Sequence, residues 1–67
     1  MAERSVFRVR QVGDYWAVRR SGTAVDTLRY RSKEQAVSGA FHLAEAFKPS
    51  VVIVHHKHGP PTRRAFG

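Results

Sequence analysis

The 67-residue chain contains no cysteine. That excludes a disulfide framework and any zinc site built on thiolates. Long apolar runs are missing too. The longest strongly apolar stretch is "VVIV", residues 51–54, far short of the roughly 20 residues a bilayer-spanning helix needs. The opening "MAERSVFRVR" has no apolar core of signal-peptide length. The expectation is one soluble, cytoplasmic domain over residues 1–67, with no membrane partner. Carboxylates are scarce: Glu3, Asp14, Asp26, Glu34 and Glu45 are scattered over turns and one helix. No pair sits on a common pocket-forming element, as acid–base catalysis requires. Ser21, Ser32, Ser38 and Ser50 fall at turn or capping positions, and "GTAVD" and "HGPP" are not phosphate-cradling loops. A chain this short also struggles to enclose a pocket. No enzyme, no cofactor and no small-molecule substrate are expected. Of the histidines in "HHKH", His55 and His56 point to opposite sides of a strand, and His56 with His58 lacks a third ligand. No metal site is expected; the plain role for His55 is to end a strand and bond to backbone.

What the chain has in excess is positive charge. Twelve Lys and Arg against five Asp and Glu give a formal net charge of +7, and nine of the twelve are Arg. Such a balance suits a polyanionic partner, most often nucleic acid. It also suits the arginine-rich usage of a high-GC genome. So small a core is marginal, and a partner chain would help it.

Residues 7–20, "FRVRQVGDYWAVRR", alternate apolar and polar side chains around a Gly13-Asp14 turn, the pattern of a β-hairpin. Residues 21–24, "SGTA", form a second turn, and 25–31, "VDTLRYR", a third strand. The period then changes to that of a helix over "SKEQAVSGAFHLAEAFKP". Ser32 is the N-cap, Gln35 completes a capping box, and Pro49 ends the helix. Ala36, Ala40, Leu43, Ala44 and Phe47 form its buried stripe, widened by Val37 and Phe41. Lys33, Glu34, Ser38, His42, Glu45 and Lys48 face water. Gly39 costs about 1 kcal/mol relative to Ala; close helix–sheet approach or simple tolerance accounts for it. "SVVIVHHK" is a fourth strand, and "TRRAFG" is either a short fifth strand at the sheet edge or irregular. The fold class is therefore α+β: an antiparallel β-sheet, β-β-β-α-β with a possible short fifth strand, and one helix packed on one face.

In the fourth strand, Val51 and Ile53 point one way, Val52 and Val54 the other. A sheet with one covering helix needs only one apolar face. A second copy of the chain is the expected cover, giving a homodimer through Val51, Val52, Ile53 and Val54. The alternative is that the tail folds back over that face.

These elements carry a resemblance. The hairpin ending in "YWAVRRSG", the capped helix, the strand running into "VHHKHG" and the closing "RRAFG" resemble a family of small bacterial proteins classed as a domain of unknown function, patterned "GWAV…G…(S/T)xxEA…A…VVHxxxGxxxxxxxYG". Trp16-Ala17-Val18, Gly22, Ser32, Ala36, Val54-His55, Gly59 and Phe66-Gly67 carry it. Gln35 stands where that pattern has Glu, Phe66 where it has Tyr, and Pro60-Pro61 interrupt the last turn. The resemblance implies a β-rich fold with one helix and no particular activity. Over residues 7–47 the order of elements is also similar to the three-stranded-sheet DNA-binding domain of plant ethylene-response factors and to integrase arm-binding domains. That likeness implies Arg and Trp side chains on the sheet reading a major groove.

With Phe7, Val9, Trp16, Val18, Leu28 and Tyr30 toward the helix, alternation places Arg8, Arg10, Tyr15, Arg19, Thr27 and Arg29 on the other face. Strands lie about 4.8 Å apart, so the guanidinium groups repel unless neutralised. A phosphate backbone does this with release of counterions, and Tyr15 is available to stack on a base. The same pattern is that of a solvated sheet face whose Arg stems cover apolar surface. Trp16 is read as core, with a surface stacking platform as its alternative. Arg63 and Arg64 belong either to a phosphate-gripping arm or to a strand on the sheet edge. The expected function is nucleic-acid binding, DNA or RNA, through Arg8, Arg10, Tyr15, Arg19, Arg29, Arg63 and Arg64. The alternative is a dimeric protein-interaction module of a bacterium or phage.

Overall fold

In the computed structural model, residues 4–23 and 25–67 are described. Glu3, one of the scattered carboxylates, and Ala24, part of the second turn, lie outside them. Six elements follow in order: β1 (Ser5–Val12), β2 (Tyr15–Arg20), β3 (Leu28–Tyr30), α1 (Lys33–Ala46), β4 (Ser50–Val54) and β5 (Thr62–Phe66).

The hairpin forms where the alternating pattern puts it. Gly13 opens the two-residue loop with φ +61°, a backbone state that a Cβ penalises and that hairpin twist favours. β1 and β2 pair from Phe7 opposite Arg20 to Val12 opposite Tyr15. α1 starts at Ser32, whose side chain accepts from the Gln35 backbone N–H at 3.2 Å. Ala36, Ala40 and Ala44 are wholly buried, and with no side chain beyond Cβ they let the helix lie close to the sheet. Closest of all is Gly39, where a Cβ would fall 2.7 Å from the Tyr30 Cζ; close approach, not tolerance, accounts for that glycine. The core beneath α1 joins Phe7, Val9, Val18, Val52, Val54 and Phe66, with Trp16, Leu28 and Tyr30 packed at its border.

The sheet is mixed, which corrects the antiparallel expectation. Its order is β3-β2-β1-β4-β5, and β4 runs parallel to β1, from Ser5 beside Ser50 to Val9 beside Val54. A parallel neighbour requires a crossover; α1 supplies it, carrying the chain from the β3 edge across to the far side of β1. The fifth strand is neither optional nor short: all five residues of β5 pair antiparallel with β4. β3 is three residues long rather than seven, and β4 ends at Val54 instead of continuing to Lys57. Phe47, expected in the buried stripe, is the C-cap and 45% exposed. Ser50 opens β4, where the fourth strand was expected to begin, and is buried; its hydroxyl donates to the Ala44 carbonyl at 2.7 Å. That bond ties the crossover helix to the strand it delivers.

β4 is an interior strand, between β1 and β5. Val52 and Val54 lie under α1, while Val51 on the opposite side is already 1% exposed within the single chain. Its lateral neighbours are Val6 and Ala65. The tail does not fold over this face; it extends the sheet.

Candidate functional site

The face away from α1 is left open, and the pairing registers place its side chains in rows. Arg19 lies opposite Arg8, Arg8 beside Ile53, and Ile53 opposite Arg63. One line across four strands thus holds three arginines around one isoleucine. In the next row Arg29 pairs with Ala17, and Ala17 with Arg10. Ala17 is 1% exposed although it sits on the open face, which fits long flanking Arg stems lying over it. Tyr15 stands on the same face, half-buried, with the Arg29 guanidinium 5.2 Å from its ring centroid.

Like charges opposite one another cost a few tenths to about 1 kcal/mol per pair. Asp26 relieves part of that. Its carboxylate, 7% exposed, accepts from Arg19 Nε at 3.1 Å and Nη2 at 3.0 Å, and lies 3.6 Å from Arg29 Nε. The residue sits in the β2–β3 connection and reaches over the end of both strands. It was missed as a site residue because, in sequence, it reads as one of five scattered acids. The signal that marks it is an acid between two arginine-bearing strands, three residues before Arg29. Arg8, Arg10 and Arg63 are exposed and have no acidic partner among the described residues.

Two other arginines belong elsewhere. Arg64 was grouped with Arg63, but adjacent strand residues face opposite ways. Arg64 lies on the helix side, 4.8 Å from the Phe41 ring and 5.3 Å from the Phe66 ring. Arg20 does the same at the other end, 5.2 Å from Phe47 and 6.0 Å from Phe7, with a bond to the Ser5 hydroxyl at 3.0 Å. These are packing arginines. By the same alternation Val52 and Val54 are core residues, so only Val51 and Ile53 remain on the face assigned to a second copy. Trp16 also faces the helix side, where Lys33 approaches its ring at 5.7 Å; the groove-reading role implied by the ethylene-response-factor likeness has no Trp on the open face to perform it.

The histidines separate as well. The His55 backbone N–H donates to the Val9 carbonyl at 2.8 Å. The His56 ring lies between the Lys33 ammonium, 2.5 Å from Nδ1, and the Thr62 hydroxyl, 2.6 Å from Nε2. An ammonium only donates, so Nδ1 accepts and Nε2 carries the proton toward Thr62. Lys33 is therefore engaged rather than free in water. Among the described residues no three His, Cys, Asp or Glu side chains converge, and no helix is long and apolar enough to cross a membrane.

Residues 7–61 match a family described as "Uncharacterized protein conserved in bacteria (DUF2188)". No curated protein and no solved structure matches the chain.

Proposed function

The chain belongs to the bacterial family DUF2188, and from its geometry we propose that it binds nucleic acid through the open sheet face, gripping phosphates rather than reading bases. The observation that carries this reading is the row Arg19–Arg8–Ile53–Arg63, backed by Arg10 and Arg29, of which only Arg19 and Arg29 pair with an acid among the described residues, Asp26. Arg matches phosphate oxygens bidentately, and three of these guanidinium groups have no competing carboxylate among the described residues. Shape points the same way. Five strands at about 4.8 Å spacing make a sheet about 19 Å across, wider than the roughly 12 Å of a B-form major groove. The sheet therefore rests across phosphate backbones. Base stacking adds little: of seven aromatic residues only Tyr15 is on this face, and Arg29 already covers it.

The half-buried Ile53 amid arginines favours one rival, a carboxylate-rich protein partner with an apolar centre. A second copy is a poorer occupant of this face, because it would set the same guanidinium groups against each other. Anisotropy titration of labelled single- and double-stranded oligonucleotides over a salt range tests the proposal. Affinity should fall steeply with salt, and Arg8→Ser/Arg10→Ser/Arg63→Ser should remove it while leaving the circular dichroism spectrum unchanged. No binding at low salt, or normal binding by the triple variant, overturns it. Light scattering on the free chain reports whether a single 7.6 kDa copy is the unit.

A further inference from the structure

At the carboxyl ends of the parallel pair β1 and β4 lies a cleft of about 260 Å³, lined by Arg10, Gln11, Trp16, His55, His56 and Lys57. It opens where the β1–β2 hairpin and the segment after β4 stand side by side. Its lining holds a guanidinium, an ammonium, two imidazoles and an amide, and no carboxylate. His56 is already fixed between Lys33 and Thr62, so that wall is held by its own bonds and brings a second ammonium close behind it. Arg10, His55 and Lys57 line the cleft as well. Arg10 also belongs to the arginine rows, so the cleft continues the open face at its end.

We propose that this cleft binds a phosphate monoester. Such a group carries about −1.5 to −2 charges near neutral pH and three strong acceptor oxygens. An internal diester carries one charge and two free oxygens, and is met adequately by a flat row of arginines. Two cations, Arg10 and Lys57, lining one concavity without a carboxylate match the monoester instead. Crevices beyond the carboxyl ends of strands are where ligands settle in open α/β sheets, and this cleft lies beyond the carboxyl ends of the parallel pair β1 and β4. The group reaches the cleft either as the terminal phosphate of a strand lying on the arginine rows or as a small free phosphate compound. Only the first source rests on the nucleic-acid reading.

The experiment follows backbone amide shifts of Gln11 and residues 55–57 while inorganic phosphate, dimethyl phosphate or chloride is added at matched ionic strength. It then compares a 5′-phosphorylated oligonucleotide with its 5′-hydroxyl twin. Inorganic phosphate should saturate these shifts where chloride and the diester do not, and Lys57→Ser should weaken that saturation about tenfold. Lys57 is outside the arginine rows, so this variant should keep its affinity for the 5′-hydroxyl oligonucleotide. A tighter 5′-phosphorylated strand, with the advantage lost in Lys57→Ser, supports the strand end as source; equal binding of the two strands overturns that source and leaves a free phosphate compound. Shifts no larger with phosphate than with chloride overturn the cleft itself. Saturation by phosphate with neither strand bound would keep the cleft and overturn the nucleic-acid face.

Discussion

Replacing Asp26 with Asn tests the electrostatic logic of the open face most directly. The carboxylate holds Arg19 through two nitrogens and touches Arg29. Among the described residues the wild-type face therefore offers three guanidinium groups without an acidic partner, Arg8, Arg10 and Arg63. Each neutralised phosphate of duplex DNA contributes about −0.9 to the slope of log affinity against log salt. Three give a slope of about −2.7, or a loss of roughly 40-fold between 50 and 200 mM salt. Asp26→Asn frees Arg19 and Arg29, and five contacts give about −4.5, or a loss of roughly 500-fold over the same range. The variant should bind more tightly at low salt and show the steeper line. Arg19 and Arg29 are 36% and 67% exposed, so water takes over much of the lost pairing and the stability cost should be about 1 kcal/mol or less. Anisotropy titrations at four or more salt concentrations, with thermal melts of both proteins, make the measurement. A slope that stays at the wild-type value would show that Arg19 and Arg29 do not reach phosphate even when released, and the arrangement of the face would have to be redrawn.

Other expectations are sharper at single residues. Arg63→Ser should weaken oligonucleotide binding several-fold, while Arg64→Ser should leave it unchanged and lower the melting temperature slightly, because Arg64 only stacks on Phe41 and Phe66; equal effects on binding would contradict the assignment of the two faces. Gly39→Ala gains about 1 kcal/mol of helix propensity, yet it should destabilise the protein in urea unfolding, since its Cβ meets Tyr30. Adding Tyr30→Phe removes the nearest atom, the hydroxyl, and should restore part of the loss. Ser50→Ala leaves the buried Ala44 carbonyl without its donor and should cost about 1–3 kcal/mol; a neutral result would mean that the carbonyl finds another partner.

Much of this fold is legible in residue order because two periods dominate it. Alternation in "VFRVRQV" and "YWAVRR" separates the faces of β1 and β2 without any tertiary information, and the spacing of Ala36, Ala40 and Ala44 assigns the buried side of α1. Strand order is another matter. Nothing local in "SVVIV" says that it lies beside β1 and parallel to it. That depends on where α1 delivers the chain, which no local pattern in the strand records. Alternation separates Val51 and Ile53 from Val52 and Val54, and it equally separates Arg63 from Arg64, which residue type alone groups together. Asp26 was hidden for a different reason, because its partners are brought together by the pairing of β2 with β3.

The row of unpaired backbone groups along the outer side of β5 is guarded by a cation on each face, Arg63 on one and Arg64 on the other. An incoming strand of like sequence would have to bring its own cations alongside both. Losing residues 62–67, by nicking in the exposed "HGPP" segment for instance, would uncover β4, whose flanks are apolar above and below. A chain so shortened should become self-adhesive, and β5 is thus what keeps a strongly hydrophobic strand from recruiting its neighbours.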